Sequence, residues 1–338
     1  MKKYTVEKMV EKLQELLEKK SIESLETVRK AVKEELKRIK CKEIKEALNY
    51  FINEYWLDIT RPALLSMVSE AVGGKENLTE IVAVPLSLIS GGIDIHDDII
   101  DESERKYGKQ TVYGKYGKDI ALLVGDVLLF KGLLLLNQNE EISMEKRLTI
   151  LNIIKDAFFE LGDAEALELR FRKCSLPSVK EYLKVVEKKA ADVEAHARIA
   201  AILSNANEKE IEVLGRYGRM LGMLIIIRDD VLDLLDDKEL KNRILKEHLP
   251  LPILCASSKK DSRLRLMKIL KKQRITKDDL KAIREITKKS GGLKATVEII
   301  EEIAREASSI IKNIENPPNL SKLITTILYA THMTIKNA

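Results

Sequence analysis

The 338-residue sequence has few aromatic residues, few helix breakers and few cysteines. Aromatic residues make up 4% of the chain, which has 15 glycines, 7 prolines and 3 cysteines. These low counts exclude collagen-like and disulfide-framework proteins, and a hydrophobic content of 45% excludes a disordered chain. The cysteines (Cys41, Cys174 and Cys255) are widely spaced, which predicts reduced thiols and a cytoplasmic protein.

The sequence also lacks a strong excess of charge and a long hydrophobic run. It has 59 Lys and Arg against 54 Asp and Glu, a net charge of +5. This small excess is only weak evidence for a nucleic-acid or anionic-membrane partner. The most apolar stretches, 120–136 and 221–227, are shorter than the ~20 apolar residues that a membrane-spanning helix needs. We therefore expect no nucleic acid, no integral membrane segment and no signal peptide.

Apolar residues recur at helical spacing along nearly the whole chain. This pattern predicts helices at 6–19, 24–39, 42–55, 61–71, 78–101, 120–136, 144–161, 179–203, 208–235, 261–270, 276–289 and 293–314, and a short helix after 317–319. We expect the helix at 78–101 to be interrupted at 90–92 and residues 104–116 to form an ordered loop, without strands.

The predicted fold is therefore all-α, a single-domain helical bundle of 1–338 with a central active-site cavity. Within it we expect N-terminal helices at 1–55, a catalytic core at 56–255 and C-terminal helices at 256–338.

Two aspartate clusters follow strongly apolar helical stretches. The first cluster is Asp97, Asp98 and Asp101, and the second is Asp229, Asp230 and Asp233. In each D-D-x-x-D pattern the first and last carboxylates lie on one face of a helix, four residues apart. A run of acidic residues usually lies on a solvent-exposed surface. Such a surface is seldom found at the end of a helix that packs in the protein core. Grouped carboxylates are ligands suited to Mg²⁺, so the pattern predicts a metal site.

From about residue 61 to 252 the sequence resembles the all-trans isoprenyl (polyprenyl) diphosphate synthases and the related class I terpene synthases. The residues that carry the resemblance are the two clusters with His96, and Arg61-Pro62, Gly108-Lys109-Gln110-Thr111, Gly125-Asp126, Glu181-Tyr182 and Lys189. The resemblance implies the isoprenoid-synthase fold and an allylic prenyl diphosphate substrate. It also implies three Mg²⁺ ions held by the six aspartates, and a homodimer or a heteromer with an active homologue.

The resemblance assigns further roles near the clusters. Lys106 and Lys189 would contact the diphosphate, whereas Arg228 would be either another contact or a surface ion-pair partner. Gly91, Gly92 and Ile93 lie where the family limits prenyl chain length, although glycines there equally suit close helix packing.

The second-substrate pocket of the family is altered in this sequence. An alignment without gaps puts Asp58 and Ile59 where the family has Lys and Arg, Ser90 where it has His, and Tyr107 where it has Arg; Arg61 remains. A carboxylate in place of a cation repels a diphosphate, so we expect isopentenyl diphosphate not to bind. Later in the chain Glu165, Glu168, Arg243 and His248 replace the family's Gln, Asp, Asp and Lys.

The sequence thus predicts an enzyme that uses Mg²⁺ to ionise an allylic prenyl diphosphate with loss of pyrophosphate. The carbocation would then be cyclised, eliminated or quenched, as in a terpene synthase-like lyase. One alternative is a trans-prenyltransferase that elongates the allylic substrate with isopentenyl diphosphate, as a polyprenyl or geranylgeranyl diphosphate synthase does. A second alternative is a non-catalytic regulatory subunit of such a synthase.

Overall fold

A computed structural model describes residues 2–56, 58–74, 77–106, 108–172 and 176–337 of the chain. The predicted all-α fold is confirmed. The helices are α1 (Lys2–Leu36), α2 (Lys42–Tyr50), α3 (Thr60–Ala71), α4 (Asn77–Ile100), α5 (Val112–Tyr116), α6 (Lys118–Gln138), α7 (Met144–Leu169), α8 (Val179–Lys189), α9 (Ala191–Leu203), α10 (Glu208–Leu235), α11 (Asp237–Leu245), α12 (Leu251–Ser257), α13 (Lys260–Leu270), α14 (Lys277–Lys289), α15 (Gly292–Ile310) and α16 (Pro318–Asn337). A π-helix (Phe51–Tyr55) extends α2, and a 3₁₀-helix (Ile311–Asn313) follows α15.

Two predicted helix breaks are wrong. The segment 6–19 and most of the segment 24–39 form the single helix α1, which ends at Leu36. Within it the buried Ser21 hydroxyl donates to the carbonyl of Glu18 over 3.3 Å. Helix α4 runs through Ser90, Gly91 and Gly92 without interruption. A Cβ atom at Gly92 would come within 2.7 Å of the Gly125 carbonyl oxygen of α6. The glycine therefore allows close packing of α4 on α6, and this tertiary contact outweighs its low helix propensity.

The structure also differs from the sequence-based expectation in four short segments. The predicted loop after α4 contains an antiparallel ribbon of β1 (Arg105–Lys106) and β2 (Lys109–Gln110). The helix predicted at 179–203 is divided at Ala190 into α8 and α9. The short helices α11 and α12 were not predicted, because each is too brief to show a clear apolar period.

The chain divides into two compact units. The N-proximal unit comprises residues 14–151 and 199–207, and the C-proximal unit comprises residues 2–13, 152–198 and 208–337. The core of the N-proximal unit contains Val32, Leu48, Phe51, Leu88 and Leu128, contributed by α1, α2, the π-helix, α4 and α6. In the C-proximal unit the long helix α10 packs against α8, α11, α12, α15 and α16. The predicted single domain and its central cavity stay predictions.

Within the described parts of the chain, no helix is both long and apolar enough to cross a membrane. Cys41 is exposed and Cys255 is partly buried, and both are free thiols. Cys174 and the second-substrate position Tyr107 lie outside the described residues.

Candidate active site

The first aspartate cluster lies at the C-terminal end of α4, in the N-proximal unit. Asp97 is in the last turn of the helix, and Asp101 follows its end. A carboxylate oxygen of Asp97 and one of Asp101 lie within 4.8 Å of each other. Two hard oxygen atoms at this separation suit a shared divalent cation, so this pair fits the predicted Mg²⁺ site.

Asp98, between these two residues, has different surroundings. Its side chain is only 3% exposed, and its Oδ1 atom lies 2.8 Å from the Nζ atom of Lys106. The Tyr55 hydroxyl donates a 3.3 Å hydrogen bond to its Oδ2 atom. Burial raises the pKa of Asp98 to about 6, and the Lys106 ammonium group opposes that rise. Protein groups thus contact both oxygens of this buried carboxylate.

The β-ribbon places Lys106 beside the cluster. Gly108 forms its turn with φ of +76°, and Arg105 donates a 2.6 Å hydrogen bond to the Gly108 carbonyl. The Lys106 Nζ atom also lies 3.1 Å from Oδ2 of Asp97. Burial alone would lower the pKa of Lys106, but Asp97 and Asp98 raise it well above its usual value. Lys106 is therefore a cation at the edge of the first cluster.

The residues predicted to belong to an altered second-substrate pocket, Asp58, Ile59, Arg61 and Ser90, are in the same unit. Arg61, at the start of α3, lies between two carboxylates, since its Nη1 atom is 3.0 Å from Asp58 Oδ2 and its Nη2 atom is 3.2 Å from Asp94 Oδ1. The Trp56 indole also donates to Asp94, over 3.0 Å. The hydroxyl of Ser90 is buried and has no hydrogen-bond partner among the described residues. The retained arginine thus has two acidic partners within the protein.

The three residues predicted to limit the prenyl chain length, Gly91, Gly92 and Ile93, differ in how tightly they are packed. Gly91 and Gly92 are buried, and a Cβ atom at Gly91 would come within 3.0 Å of the Phe51 ring. Ile93 is partly exposed. The tight surroundings of the two glycines support the packing alternative.

The second aspartate cluster lies near the C-terminal end of α10, in the C-proximal unit. Asp230 is 1% exposed, and its Oδ2 atom accepts hydrogen bonds from the Tyr182 hydroxyl at 2.7 Å and from the Leu251 backbone N–H at 2.9 Å. Its Oδ1 atom contacts the guanidinium of Arg243. Burial raises the pKa of Asp230, while Arg243, Tyr182 and Leu251 oppose that rise.

The two outer carboxylates of this cluster are more accessible. Asp229 is 42% exposed, and its Oδ1 atom lies 2.8 Å from Arg228 Nη2. Asp233 Oδ2 lies 3.6 Å from Arg243 Nε. Burial raises the pKa of Asp233 to about 7, and the charge of Arg243 opposes this rise. Arg228 thus forms the ion pair that was one of its two predicted roles.

Lys189 lies at the end of α8 among acidic groups of α7. Its Nζ atom is 2.9 Å from Glu165 Oε1, and it also contacts Glu168. Glu168 is buried and makes a further contact with the His248 imidazole. The chain therefore supplies its own carboxylates to the lysine that was predicted to meet a diphosphate.

Sequence reasoning assigned no site contact to several residues that the structure places against the clusters or against Arg61. Tyr55, Tyr182 and Arg243 each contact the middle aspartate of a cluster, and Asp94 contacts Arg61. Two signals were visible in the sequence: the replacement of an acidic residue by Arg243, and the presence of Tyr182 in the Glu181-Tyr182 motif that carries the resemblance. None of these partners lies at helical spacing from the residue it contacts.

Comparisons with known proteins agree on one family. A model of the Polyprenyl synthetase family matches residues 42–287. The short chain isoprenyl diphosphate synthase of Methanocaldococcus jannaschii is 31% identical over 226 residues, which cover 64% of this chain and 68% of that protein. The geranylgeranyl diphosphate synthase of Methanosarcina mazei is 32% identical over 187 residues, which cover 54% of this chain and 57% of that protein.

A solved structure shows the same fold. The geranylgeranyl pyrophosphate synthetase of Pyrococcus horikoshii Ot3 aligns with a TM-score of 0.81 and 27% sequence identity. The alignment covers 97% of this chain and 99% of that one. These similar proteins are named as diphosphate synthases, which favours the prenyltransferase alternative over the terpene synthase-like expectation.

Proposed function

Because the chain belongs to the polyprenyl synthetase family, a class of enzymes, we propose that it is a trans-prenyltransferase. In this proposal the bond between the allylic carbon and the diphosphate oxygen breaks and pyrophosphate leaves. The allylic carbon then bonds to the terminal alkene carbon of isopentenyl diphosphate, and the resulting cation loses a proton to form a new double bond. The observation that carries the proposal is the match to the Polyprenyl synthetase family and to relatives named as diphosphate synthases. The closely spaced pair Asp97 and Asp101, with the cation Lys106 beside it, supplies the metal-binding and diphosphate-binding groups.

Members of this family are in general Mg²⁺-dependent. Asp97 and Asp101 would hold Mg²⁺ at the first cluster, and Asp229 would add a carboxylate at the second. Bound there, Mg²⁺ supplies positive charge to the diphosphate as it leaves. The resemblance puts the number of ions at three. Asp98 and Asp230, which are buried and hydrogen-bonded within the protein, would support the neighbouring carboxylates.

Cationic side chains beside each aspartate cluster would bind diphosphate oxygens. Lys106 would contact a diphosphate oxygen as a point charge, in contrast to the two-pronged contact of an arginine. Lys189 and Arg228 would each also contact a diphosphate oxygen. That oxygen would replace the carboxylate that each residue now contacts, Glu165 for Lys189 and Asp229 for Arg228. Positive groups held in a partly buried site stabilise the developing negative charge more strongly than they would in water.

A second candidate function is ionisation without condensation, as in a terpene synthase-like lyase. The position of Arg61 between Asp58 and Asp94 supports it, because those carboxylates already neutralise the retained cation of the second-substrate pocket. A diphosphate at this position would meet two like charges, which opposes its binding. The names of the related proteins favour prenyl transfer, and the Arg61 contacts favour the lyase.

One experiment tests both candidates. Purified protein is incubated with Mg²⁺ and C10, C15 or C20 allylic diphosphates, with and without labelled isopentenyl diphosphate, and pyrophosphate and organic extracts are analysed. Prenyl transfer predicts label in longer chains, at a rate that matches pyrophosphate release. Pyrophosphate release that ignores isopentenyl diphosphate would support the lyase. No pyrophosphate from any substrate would contradict both and leave the regulatory subunit.

For assembly, the proposal is a homodimer. Leu123, Phe130 and Leu134 are 51%, 69% and 50% exposed and recur at helical spacing along α6. Such an apolar stripe suits self-complementary packing against a second copy of the chain. A heteromer with an active homologue would use the same stripe. A cytoplasmic location stays a prediction.

A further inference from the structure

The guanidinium of Arg243, on α11, contacts three carboxylates of the C-proximal unit. It contacts Asp230, its Nε atom lies 3.6 Å from Asp233 Oδ2, and its Nη1 atom lies 3.1 Å from Glu247 Oε2. The side chain is only 13% exposed. Two of the three partners belong to the second aspartate cluster, so the chain brings its own cation to that cluster.

Asp230 does not fit the role of a metal ligand. Its Oδ1 atom contacts Arg243, and its Oδ2 atom accepts from Tyr182 and Leu251. A divalent ion bound to Asp230 would find only about one of the four lone-pair positions of this carboxylate unoccupied by these donors, in a site with almost no solvent. It would also stand close to the guanidinium, and like charges in a low-dielectric environment repel strongly.

Arg243 affects Asp233 in a different way. It is 27% exposed, and its Oδ2 atom forms a charge pair with Arg243 without a hydrogen bond to that Nε atom. Asp229, four residues earlier on α10, pairs with Arg228 and is more exposed. Positions four apart on a helix can share one ligand, but here Arg243 draws the second member of the pair toward itself.

From these contacts we infer that Arg243 is a built-in counter-cation, which replaces a divalent ion at Asp230 and Asp233. The chain therefore binds one divalent ion fewer, in the presence of pyrophosphate, than it would without this arginine. The inference rests on the proposed function, because it takes a metal-dependent diphosphate site as its starting point. It assigns Arg243 a positioning role and not a catalytic one.

The test counts bound Mn²⁺, as a probe for Mg²⁺, by paramagnetic resonance with inorganic pyrophosphate present. Removing Arg243 alone would leave the buried Asp230 without its counter-charge and could unfold the protein. The test variant is therefore the double change Arg243→Gln and Asp230→Asn, which removes both charges together. It releases Asp233 to act with Asp229, and we expect one additional Mn²⁺ per chain.

The matched control is the double change Arg284→Gln and Asp237→Asn. This pair, with a 2.6 Å contact between Nη1 and Oδ1, lies in the same unit but outside the cluster, and its loss should leave the count unchanged. Circular dichroism confirms that both variants are folded. An equal Mn²⁺ count in the wild type and the Arg243 double variant would overturn the inference.

Failure of the proposed function gives a different result. Asp97→Asn, in the wild-type background, should remove an ion from the count because it alters the first cluster. If that count stays the same, the proposed metal site at Asp97 and Asp101 is wrong. The comparison that tests Arg243 does not depend on that outcome.

Discussion

The carboxylate of Asp58 lies 3.0 Å from the guanidinium of Arg61, three residues later in the chain. The other oxygen of the same carboxylate accepts hydrogen bonds from the backbone N–H groups of Thr60 and Arg61, at 2.9 and 3.1 Å. One side chain therefore caps the start of α3 and also neutralises the arginine retained from the family's second-substrate pocket. We therefore expect this contact to oppose the binding of a second diphosphate at Arg61.

Asp58→Asn should improve the use of isopentenyl diphosphate. Asparagine keeps an oxygen that can cap the helix, but it removes the negative charge beside Arg61. We expect the KM for isopentenyl diphosphate to fall by roughly tenfold, which corresponds to about 1.4 kcal/mol. Steady-state incorporation of label measures this value. Asp119→Asn, at an exposed position of the same unit, is the control, and an equal KM in the two variants would contradict the prediction.

Asp97→Ala and Asp229→Ala should each lower turnover of an allylic diphosphate by ~10²-fold or more. Each change removes a carboxylate that would hold Mg²⁺ near the leaving group, and such charge stabilisation is worth several kcal/mol. Pyrophosphate release at saturating Mg²⁺ measures the loss, and circular dichroism checks the fold. Either variant with a near-wild-type rate would show that its carboxylate holds no essential ion.

Phe130→Ser should weaken the proposed dimer. Phe130 is 69% exposed in the single chain. The change therefore removes apolar surface from the α6 stripe and does not leave a cavity in the core. Light scattering should show the wild type at twice the 38.4 kDa chain mass and the variant shifted toward one chain. Leu264→Ser, at a 57% exposed leucine of α13, should leave the mass unchanged. A wild type that is monomeric at micromolar concentration would refute the homodimer.

Asp279→Asn should reduce stability in a pH-dependent way. Asp279 accepts a 2.5 Å hydrogen bond from Lys272 and forms a capping box with Thr276, and these contacts hold its pKa at about 2. The unfolded-state pKa is about 3.9, so the ionised form stabilises the fold above that value. The stabilisation is lost as the pH falls from about 4 to about 2.

Urea unfolding at pH 7, 5 and 3 measures this effect. The difference between wild type and Asp279→Asn should be constant from pH 7 to 5 and smaller at pH 3. Asp278→Asn is the matched control, because Asp278 is exposed in the same helical turn. The same pH profile in both variants would show that the Lys272 and Thr276 contacts do not stabilise the ionised carboxylate.

The sequence predicted the long helices well where an apolar period was sustained. The bounds predicted for α10 agree with the structure, Glu208–Leu235, and those of α3 differ by one residue. The predicted helix bounds were wrong where tertiary contacts determine the local structure. Glycine and serine at 90–92 suggested a break, but the approach of α6 to Gly92 keeps α4 continuous.

The sequence by itself determined the all-α fold and the pairing of Asp97 with Asp101, because helical periodicity is a local property of the chain. It could not show which cations meet these carboxylates. Lys106 reaches Asp97 from a β-ribbon, and Arg243 reaches Asp230 from another helix, thirteen residues away. Only the tertiary structure decided these contacts, because opposite charges pair across elements wherever packing brings them together away from water.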